Sequence, residues 1–334
     1  MTVLLEARDV VKHFPLHGGL FGQKDVVHAL DGVSFSIEAG EFVALVGESG
    51  SGKTTLARCI LGLAEPTSGS IILEGQDLTK ARGRALAGFR RRVQPVFQDP
   101  YASLDPRWSI GHTIREPLDA YGIGTARERE ARVTQLLDQV GLTSRFADRR
   151  PHELSGGQRQ RVGIAAALAL EPDLIVADEP VSALDVSVQA QILNLLSELN
   201  QSLGVAILLI THDLSVVEHV CDRAVVLYLG RVAEEGRVSA LFADPEHPYT
   251  SGLMAAIPYP DPSRPIDTTG VGGEIPSPIH PPAGCRFHTR CPVAIERCSR
   301  DEPELENHAT DHRVACHVSQ ARRAEAAKGD MPQS

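Results

Sequence analysis

The chain has 334 residues, with 33 Lys+Arg against 43 Asp+Glu for a formal net charge of −10, and is 42% apolar and 23% charged. That composition excludes wholesale disorder, collagen-like repeats and a coiled coil, and leaves room for one large or two smaller cored domains. The acidic balance argues against nucleic acid as a main partner, and no apolar run approaches the roughly 20 residues that span a bilayer, the longest being Ile164–Leu170 and Val205–Ile210.

The N-terminus carries Glu6 and Asp9 and lacks the basic-then-apolar layout of a signal peptide, so a cytoplasmic protein is expected, held on a membrane at most by other subunits. Phe42–Val46 is predicted as a buried strand, apolar on both faces. After the turn that follows it, Leu56, Ile60 and Leu61 mark a helix. Leu174–Ala177, Val205–Ile210 and Val225–Leu229 read as further buried strands. Between them, apolar residues at 188, 192, 195, 196, 199 and 203 line one face of a helix over Val188–Leu203. Strands alternating with helices imply an α/β fold with a largely parallel, doubly covered sheet. Nine of the 22 prolines fall between Pro258 and Pro292, where neither helix nor central strand is expected. The final residues, including Glu325-Ala-Ala-Lys-Gly-Asp330, read as a disordered tail. No internal repeat is present.

The chemistry starts at Gly47-Glu-Ser-Gly-Ser-Gly-Lys-Thr-Thr55, which stands between a strand and a helix as a P-loop requires. Gly47, Gly50 and Gly52 let the backbone curl so that several N–H groups face one anion. The helix beginning near Lys53 adds its positive end. Lys53 can reach the β- and γ-phosphates, and the Thr54 hydroxyl can sit on Mg²⁺. A glycine-rich turn that merely precedes a lysine is the bland alternative; the full spacing rejects it. Asp178 ends the strand of Leu174-Ile-Val-Ala-Asp-Glu-Pro180, where open α/β sheets bind ligands, and is placed to hold Mg²⁺. Glu179 is the candidate general base for an attacking water. Alone, two acids at a strand end are more often a solvated edge or a helix cap; beside a P-loop the odds reverse.

Leu154-Ser-Gly-Gly-Gln158, with the P-loop and Asp178-Glu179 in order, resembles the ATP-binding cassette (ABC) ATPases over about residues 3–240. The resemblance implies a P-loop nucleotide-binding domain at 1–240, with a RecA-like parallel sheet core, a β-subdomain and a helical signature subdomain at about 99–165. Its ATP-binding set is Phe14, stacking on adenine, with Gly47, Glu48, Ser49, Gly50, Ser51, Gly52, Lys53, Thr54, Thr55, Gln98 and His212. Mg²⁺ falls to Thr54, Gln98 and Asp178, and catalysis to Glu179, His212, Gln98 and Lys53. Ser155, Gly156, Gly157 and Gln158 would serve ATP on an opposite subunit, with Ser182, Ala183, Leu184 and Asp185 as the D-loop that communicates across the dimer. As a lone residue, His212 would more often be structural, and Phe14 core.

Gln98-Asp-Pro-Tyr-Ala-Ser-Leu-Asp-Pro-Arg107, Gly273-Glu-Ile-Pro-Ser-Pro278 and Pro281-Pro-Ala-Gly-Cys-Arg-Phe-His-Thr-Arg-Cys-Pro292 are similar to ATPases of dipeptide and oligopeptide importers. Val11-Lys-His-Phe-Pro15 with Gly18-Gly-Leu-Phe21 resembles their F-type subunit. The implied function is ATP hydrolysis that energises peptide import, at the cytoplasmic face of the inner membrane. The implied partners are a D-type ATPase, two permeases and an extracytoplasmic peptide-binding protein. An importer ATPase for nickel or another small solute is the alternative. A soluble ABC protein would need paired cassettes or a coiled-coil insertion, and the sequence has neither.

The remaining region divides into an extension at 241–318 and a tail at 319–334. Cys285-x₅-Cys291-x₆-Cys298-x₁₇-Cys316 could supply four thiolates in that extension, and in a reducing compartment a metal site is a better reading than disulfides. The resemblance implies a [4Fe–4S] cluster. Zn²⁺ competes, with His288, His312 and His317 nearby, and four reduced thiols remain the bland reading.

Overall fold

The computed structural model describes residues 2–16, 25–99, 101, 104–257, 271–309 and 311–329. The stretch Gly18-Gly-Leu-Phe21, Pro100, Ala102 and Ser103 after Gln98, the prolines between 258 and 265, and residues 330–334 of the tail lie outside the described residues.

Two long antiparallel strands open the chain, β1 (Val3–Pro15) and β2 (Val26–Glu38). β3 (Phe42–Val46) is buried along its whole length and delivers the chain to the phosphate loop and α1 (Lys53–Ile60). β4 (Ser68–Leu73) and β5 (Gln76–Asp77) complete a small sheet of order β2-β1-β4-β5. Leu5, Val33, Ile37 and Ile71 of this sheet share one core cluster with Leu56 and Ile60 of α1. α2 (Arg84–Arg92) and β6 (Val93–Val96) follow.

A helical lobe is inserted next, from α3 (Ile110–Ala120), α4 (Ala126–Gln139) and α5 (Gly156–Leu168). Ile110, Ile114 and Leu118 of α3 meet Leu136 and Leu137 of α4 and Val162 and Ile164 of α5 in the second core cluster. At about 1.5–3 kcal/mol per fully buried aliphatic side chain, this packing outweighs the presence of Pro117 inside α3.

β7 (Leu174–Asp178), α6 (Val186–Leu203), β8 (Ala206–Thr211), α7 (Leu214–Val220) and β9 (Arg223–Tyr228) then alternate. All four strands expected from the sequence form within two residues of their expected bounds. β10 (Arg231–Arg237), α8 (Val238–Ala243) and α9 (Pro248–Ala255) turn the chain back. β11 (Glu306–Ala309), β12 (His312–Val314) and α10 (His317–Gly329) end it. The main sheet has the order β11-β12-β10-β9-β3-β8-β7-β6, parallel from β9 to β6 and antiparallel from β9 outward to β11.

Two expectations change here. The described part of the proline-dense stretch has no helix or strand, as expected, but the extension goes on to add β11 and β12 to the edge of the main sheet. The tail expected to be disordered from residue 319 is helical as far as Gly329. The reason is its composition, since Ala, Arg, Glu and Lys are strong helix formers. Its first turn is also pinned, by Ser319 Oγ donating to Glu246 at 2.6 Å and His317 Nε2 donating to the Asp301 carbonyl at 2.9 Å.

Candidate active site

β3 lies between β8 and β9, with β7 beyond β8, so the residues that follow β3, β7 and β8 gather at one end of adjacent parallel strands. The phosphate loop curls there because two glycines allow it. Gly47 has φ +150° and a Cβ on it would lie 2.2 Å from the Leu227 carbonyl oxygen; Gly52 has φ +107° and a Cβ there would lie 2.5 Å from that of Ala29. Gly52 caps α1 without any side-chain bond, which leaves the first N–H groups of the helix free for an anion. Ser51 Oγ, beside them, is buried with no hydrogen-bond partner.

Lys53 is buried, and its Nζ donates to the carbonyls of Gly47 at 2.7 Å and Glu48 at 2.9 Å. An ammonium has three donors, so one remains for a phosphate. Burial pulls the Lys53 pKa down, against the pull of Glu179, Asp178 and Glu48. Asp178 is the mirror case. Burial and then the neighbouring Glu179 raise its pKa, while Thr54, Lys53 and Arg58 draw it back. A half-buried carboxylate held this way gains most from a cation.

Glu179 is the meeting point. It has φ +46°, an uncommon conformation for a side-chain-bearing residue, fixed by its N–H donating to the Ile210 carbonyl at 3.0 Å. Gln98 Nε2, beyond β6, donates to Glu179 Oε2 at 2.9 Å. His212 Nδ1, just past β8, lies 3.2 Å from Glu179 Oε1. Two residues proposed from distant parts of the sequence therefore converge on the carboxylate of a third. Thr54 and Thr55 sit in the first turn of α1, and Ser49 and Gly50 complete the loop.

The signature residues lie elsewhere. Ser155 caps α5 in a capping box with Gln158, with Gly156 and Gly157 in the first turn. Among the described residues no hydrogen bond joins this helix start to the phosphate loop. The segment from Ser182 to Asp185 bridges the two regions: Ser182 Oγ donates to the Glu179 carbonyl at 3.2 Å, Asp185 caps α6, and Leu184 crowds Gly156, where a Cβ would meet it at 3.0 Å. Ala183 lies between them in the chain. Phe14, near the end of β1, is 40% exposed, with Lys12 Nζ 5.0 Å from its ring centroid.

Sequence reasoning missed two contacts of the loop. Tyr249 Oη accepts from the Glu48 N–H at 2.8 Å, and Arg290 makes a two-point ion pair with the Glu48 carboxylate. They stand 201 and 242 residues away in the chain, and no motif marks either.

The four late cysteines are brought together. Burial pushes the Cys285 thiol up to about 12, helped by Cys298, Cys316 and Cys291 around it. Burial likewise raises Cys291 and Cys316. A single tetrahedral zinc at about 2.3 Å from each sulfur needs thiolates about 3.8 Å apart. Among the described residues no three of these thiols have their sulfurs within 4.8 Å of one another; only His13, His28 and Asp31 meet that spacing. The nearby histidines are engaged otherwise: His288 Nδ1 with the Cys285 carbonyl, His312 Nε2 with Glu234, and His317 Nε2 with Asp301.

Comparison with known proteins places these features in a common frame. The family model for ABC transporters matches residues 30–182, and that for the oligopeptide/dipeptide transporter C-terminal region matches residues 233–298. The chain is 51% identical to a peptide ABC transporter ATP-binding protein of Sinorhizobium fredii, over 94% of this chain and 90% of that one. It is 49% identical to the oligopeptide transport ATP-binding protein AppF of Bacillus subtilis, over 94% and 97%. It is 47% identical to the dipeptide transport ATP-binding protein DppF of Haemophilus influenzae, over 94% and 96%. Among solved structures it is similar to the dimeric ATP-binding cassette MJ0796 in a post-hydrolysis state with ADP and phosphate. That match has a TM-score of 0.63 and 33% identity, over 70% of this chain and 99% of that one.

Proposed function

The chain belongs to the ATP-binding cassette ATPases of oligopeptide and dipeptide transporters, and from that premise we propose that it is the F-type subunit that hydrolyses ATP to power peptide import. The observation that carries this reading is the convergence of Gln98 and His212 on Glu179, beside Lys53 and Asp178.

In the proposed cycle the phosphate loop, Gly47 to Thr55, receives the triphosphate on backbone N–H groups and the third donor of Lys53. Phe14 stacks on the base, which its exposure allows. Thr54, Asp178 and Gln98 would hold Mg²⁺, which would supply neutralisation of phosphate charge. Glu179 orients the attacking water and takes its proton, with Gln98 and His212 fixing the carboxylate. His212 and Lys53 stabilise charge developing on the γ-phosphate. The signature residues Ser155 to Gln158 complete the site of a second cassette, so two chains close on two nucleotides. The D-loop, from Ser182 to Asp185, couples the two sites.

Among the described residues no helix is long and apolar enough to cross a membrane. As a subunit of such an importer, the chain would work at the cytoplasmic face of the inner membrane with a D-type ATPase, two permeases and an extracytoplasmic peptide-binding protein. The cassette would occupy 1–240, with 99–165 as its helical part, and the extension 241–318 would hold a [4Fe–4S] cluster on Cys285, Cys291, Cys298 and Cys316 as a structural element.

Glu179→Gln tests the mechanism, because it keeps the shape and both neighbours while removing the base. Turnover should fall about 10²–10⁴-fold, with ATP still bound and a nucleotide-dependent dimer accumulating on gel filtration. Unchanged hydrolysis overturns the general-base role.

A further inference from the structure

The loop between Cys285 and Cys291 sends two arginines toward the nucleotide site. Arg286 pairs with Asp31, which also holds His13 and His28 on the hairpin that carries Phe14. Burial pushes Asp31 up, but its bonds to His13 and Arg286 outweigh this and hold it at about 2. The guanidinium already supplies the positive charge that a metal on this triad would bring, so a second cation is disfavoured there.

Arg290 goes to the phosphate end. Its side chain is 3% exposed, and Nη1 and Nη2 meet the two Glu48 carboxylate oxygens at 2.6 and 3.0 Å. Nε donates to the Gly272 carbonyl at 2.9 Å, Nη1 also to Tyr228 Oη at 3.3 Å, and Nη2 also to the Val271 carbonyl at 3.2 Å. All five donors of the guanidinium are engaged, so it has a single resting place. Glu48 is gripped through its backbone as well. Its N–H donates to Tyr249 Oη at 2.8 Å, and its carbonyl accepts from Lys53 Nζ at 2.9 Å and from the Ser51 N–H at 3.2 Å. Tyr249 is itself locked against Tyr228 and Phe287, at ring centroid distances of 4.7 and 5.4 Å.

The P-loop spacing leaves the position of Glu48 open, and an unpaired acid there would repel a triphosphate. We propose that Arg290 is a positioning residue for ATP: it neutralises Glu48, turns the carboxylate into the extension and fixes the carbonyl on which Lys53 rests. The cysteine-bearing extension thereby sets how tightly the phosphate loop holds nucleotide. This rests on ATP binding by that loop and not on what fills the cysteine pocket.

The test is a fluorescence titration of ATP with Mg²⁺ on the full chain carrying Glu179→Gln, which prevents turnover. Arg290→Gln should raise the ATP Kd about three- to thirty-fold, and Arg290→Lys, which keeps the charge but loses the fork, should fall between it and the parent. In a Glu48→Gln background the effect of Arg290→Gln should shrink below about twofold, because the partner it acts through is gone. A general loss of structure would instead act equally in both backgrounds, and that result overturns the proposal. If Arg290→Gln does not fold, a folded Arg290→Lys with unchanged Kd overturns it as well. A parent chain that binds no ATP would refute the nucleotide site itself; a parent that binds with all variants unchanged refutes only the role of Arg290.

Discussion

A methyl group on Gly47 would sit 2.2 Å from the Leu227 carbonyl oxygen and 2.8 Å from Ser51 Oγ, on a backbone at φ +150°. The carbonyl cannot withdraw, since Leu227 belongs to β9, which pairs with β3 in the middle of the main sheet. Gly47→Ala should therefore destabilise the chain by about 1–3 kcal/mol and remove nucleotide binding, as a thermal melt and an ATP titration would report; a tight, stable variant would mean that the loop is not held as described. What the sequence disclosed at this scale follows from chain distance. The P-loop is written within nine consecutive residues, so strand, turn and helix start could be read together. Gln98 and His212 carry no local mark of their chemistry, and only the order of motifs around them placed them beside Glu179. Arg290 and Tyr249 act on Glu48 from the far end of the chain, and pairing of that kind leaves no trace in a single sequence.

Elements were legible where one physical demand set every position. β3, β7 and β8 lie inside the parallel part of the sheet, buried on both faces, so each is an apolar run, broken in β7 and β8 only at the last residue. β1 and β2 were not, because their register shifts at four points and each bulge resets the inside–outside alternation. α9 depends on a residue with no helix signal of its own. His247 accepts the Tyr249 N–H on Nδ1 at 3.0 Å as the helix cap, and its own N–H donates to Glu234 at 3.1 Å. Nδ1 can accept only while the ring is neutral, and full burial holds the His247 pKa down at about 4 from an ordinary 6.5, against the opposing pull of Glu234. Between those values the unfolded chain binds a proton that the folded chain does not. Its contribution is thus complete above about pH 6.5 and declines as pH falls toward 4, by about 3 kcal/mol in all. His247→Asn keeps a capping acceptor but cannot titrate, so the difference in melting temperature between pH 7 and pH 5 should narrow in that variant. An unchanged difference would assign the acid sensitivity to other groups.

At the scale of the molecule, the extension is built into the cassette. β12 pairs with β10, β10 with β9, and β9 with β3, so one continuous ladder of hydrogen bonds leads from the cysteine-bearing region to the strand that feeds the phosphate loop. Cys316 lies two residues after β12, while Cys285, Cys291 and Cys298 sit in loops and a short 3₁₀ turn with little core beyond Phe287 and its aromatic neighbours. Burial raises the thiol pKa of Cys285, Cys291 and Cys316, and a metal bound there would draw each toward the thiolate that ligates it. Anaerobic purification should therefore yield about four irons and four sulfides per chain, with absorbance near about 400 nm. Stripping them should lower the melting temperature by at least about 3 °C, because ligand bonds to four points of a loop-rich segment count toward folding. One equivalent of zinc would leave the ATPase intact and replace the cluster, but the thiols would first have to draw inward from their present spacing. Iron-free, zinc-free protein that melts at the same temperature with or without added metal would make the four cysteines plain packing residues, and Arg290 would then hold the phosphate loop without any metal beside it.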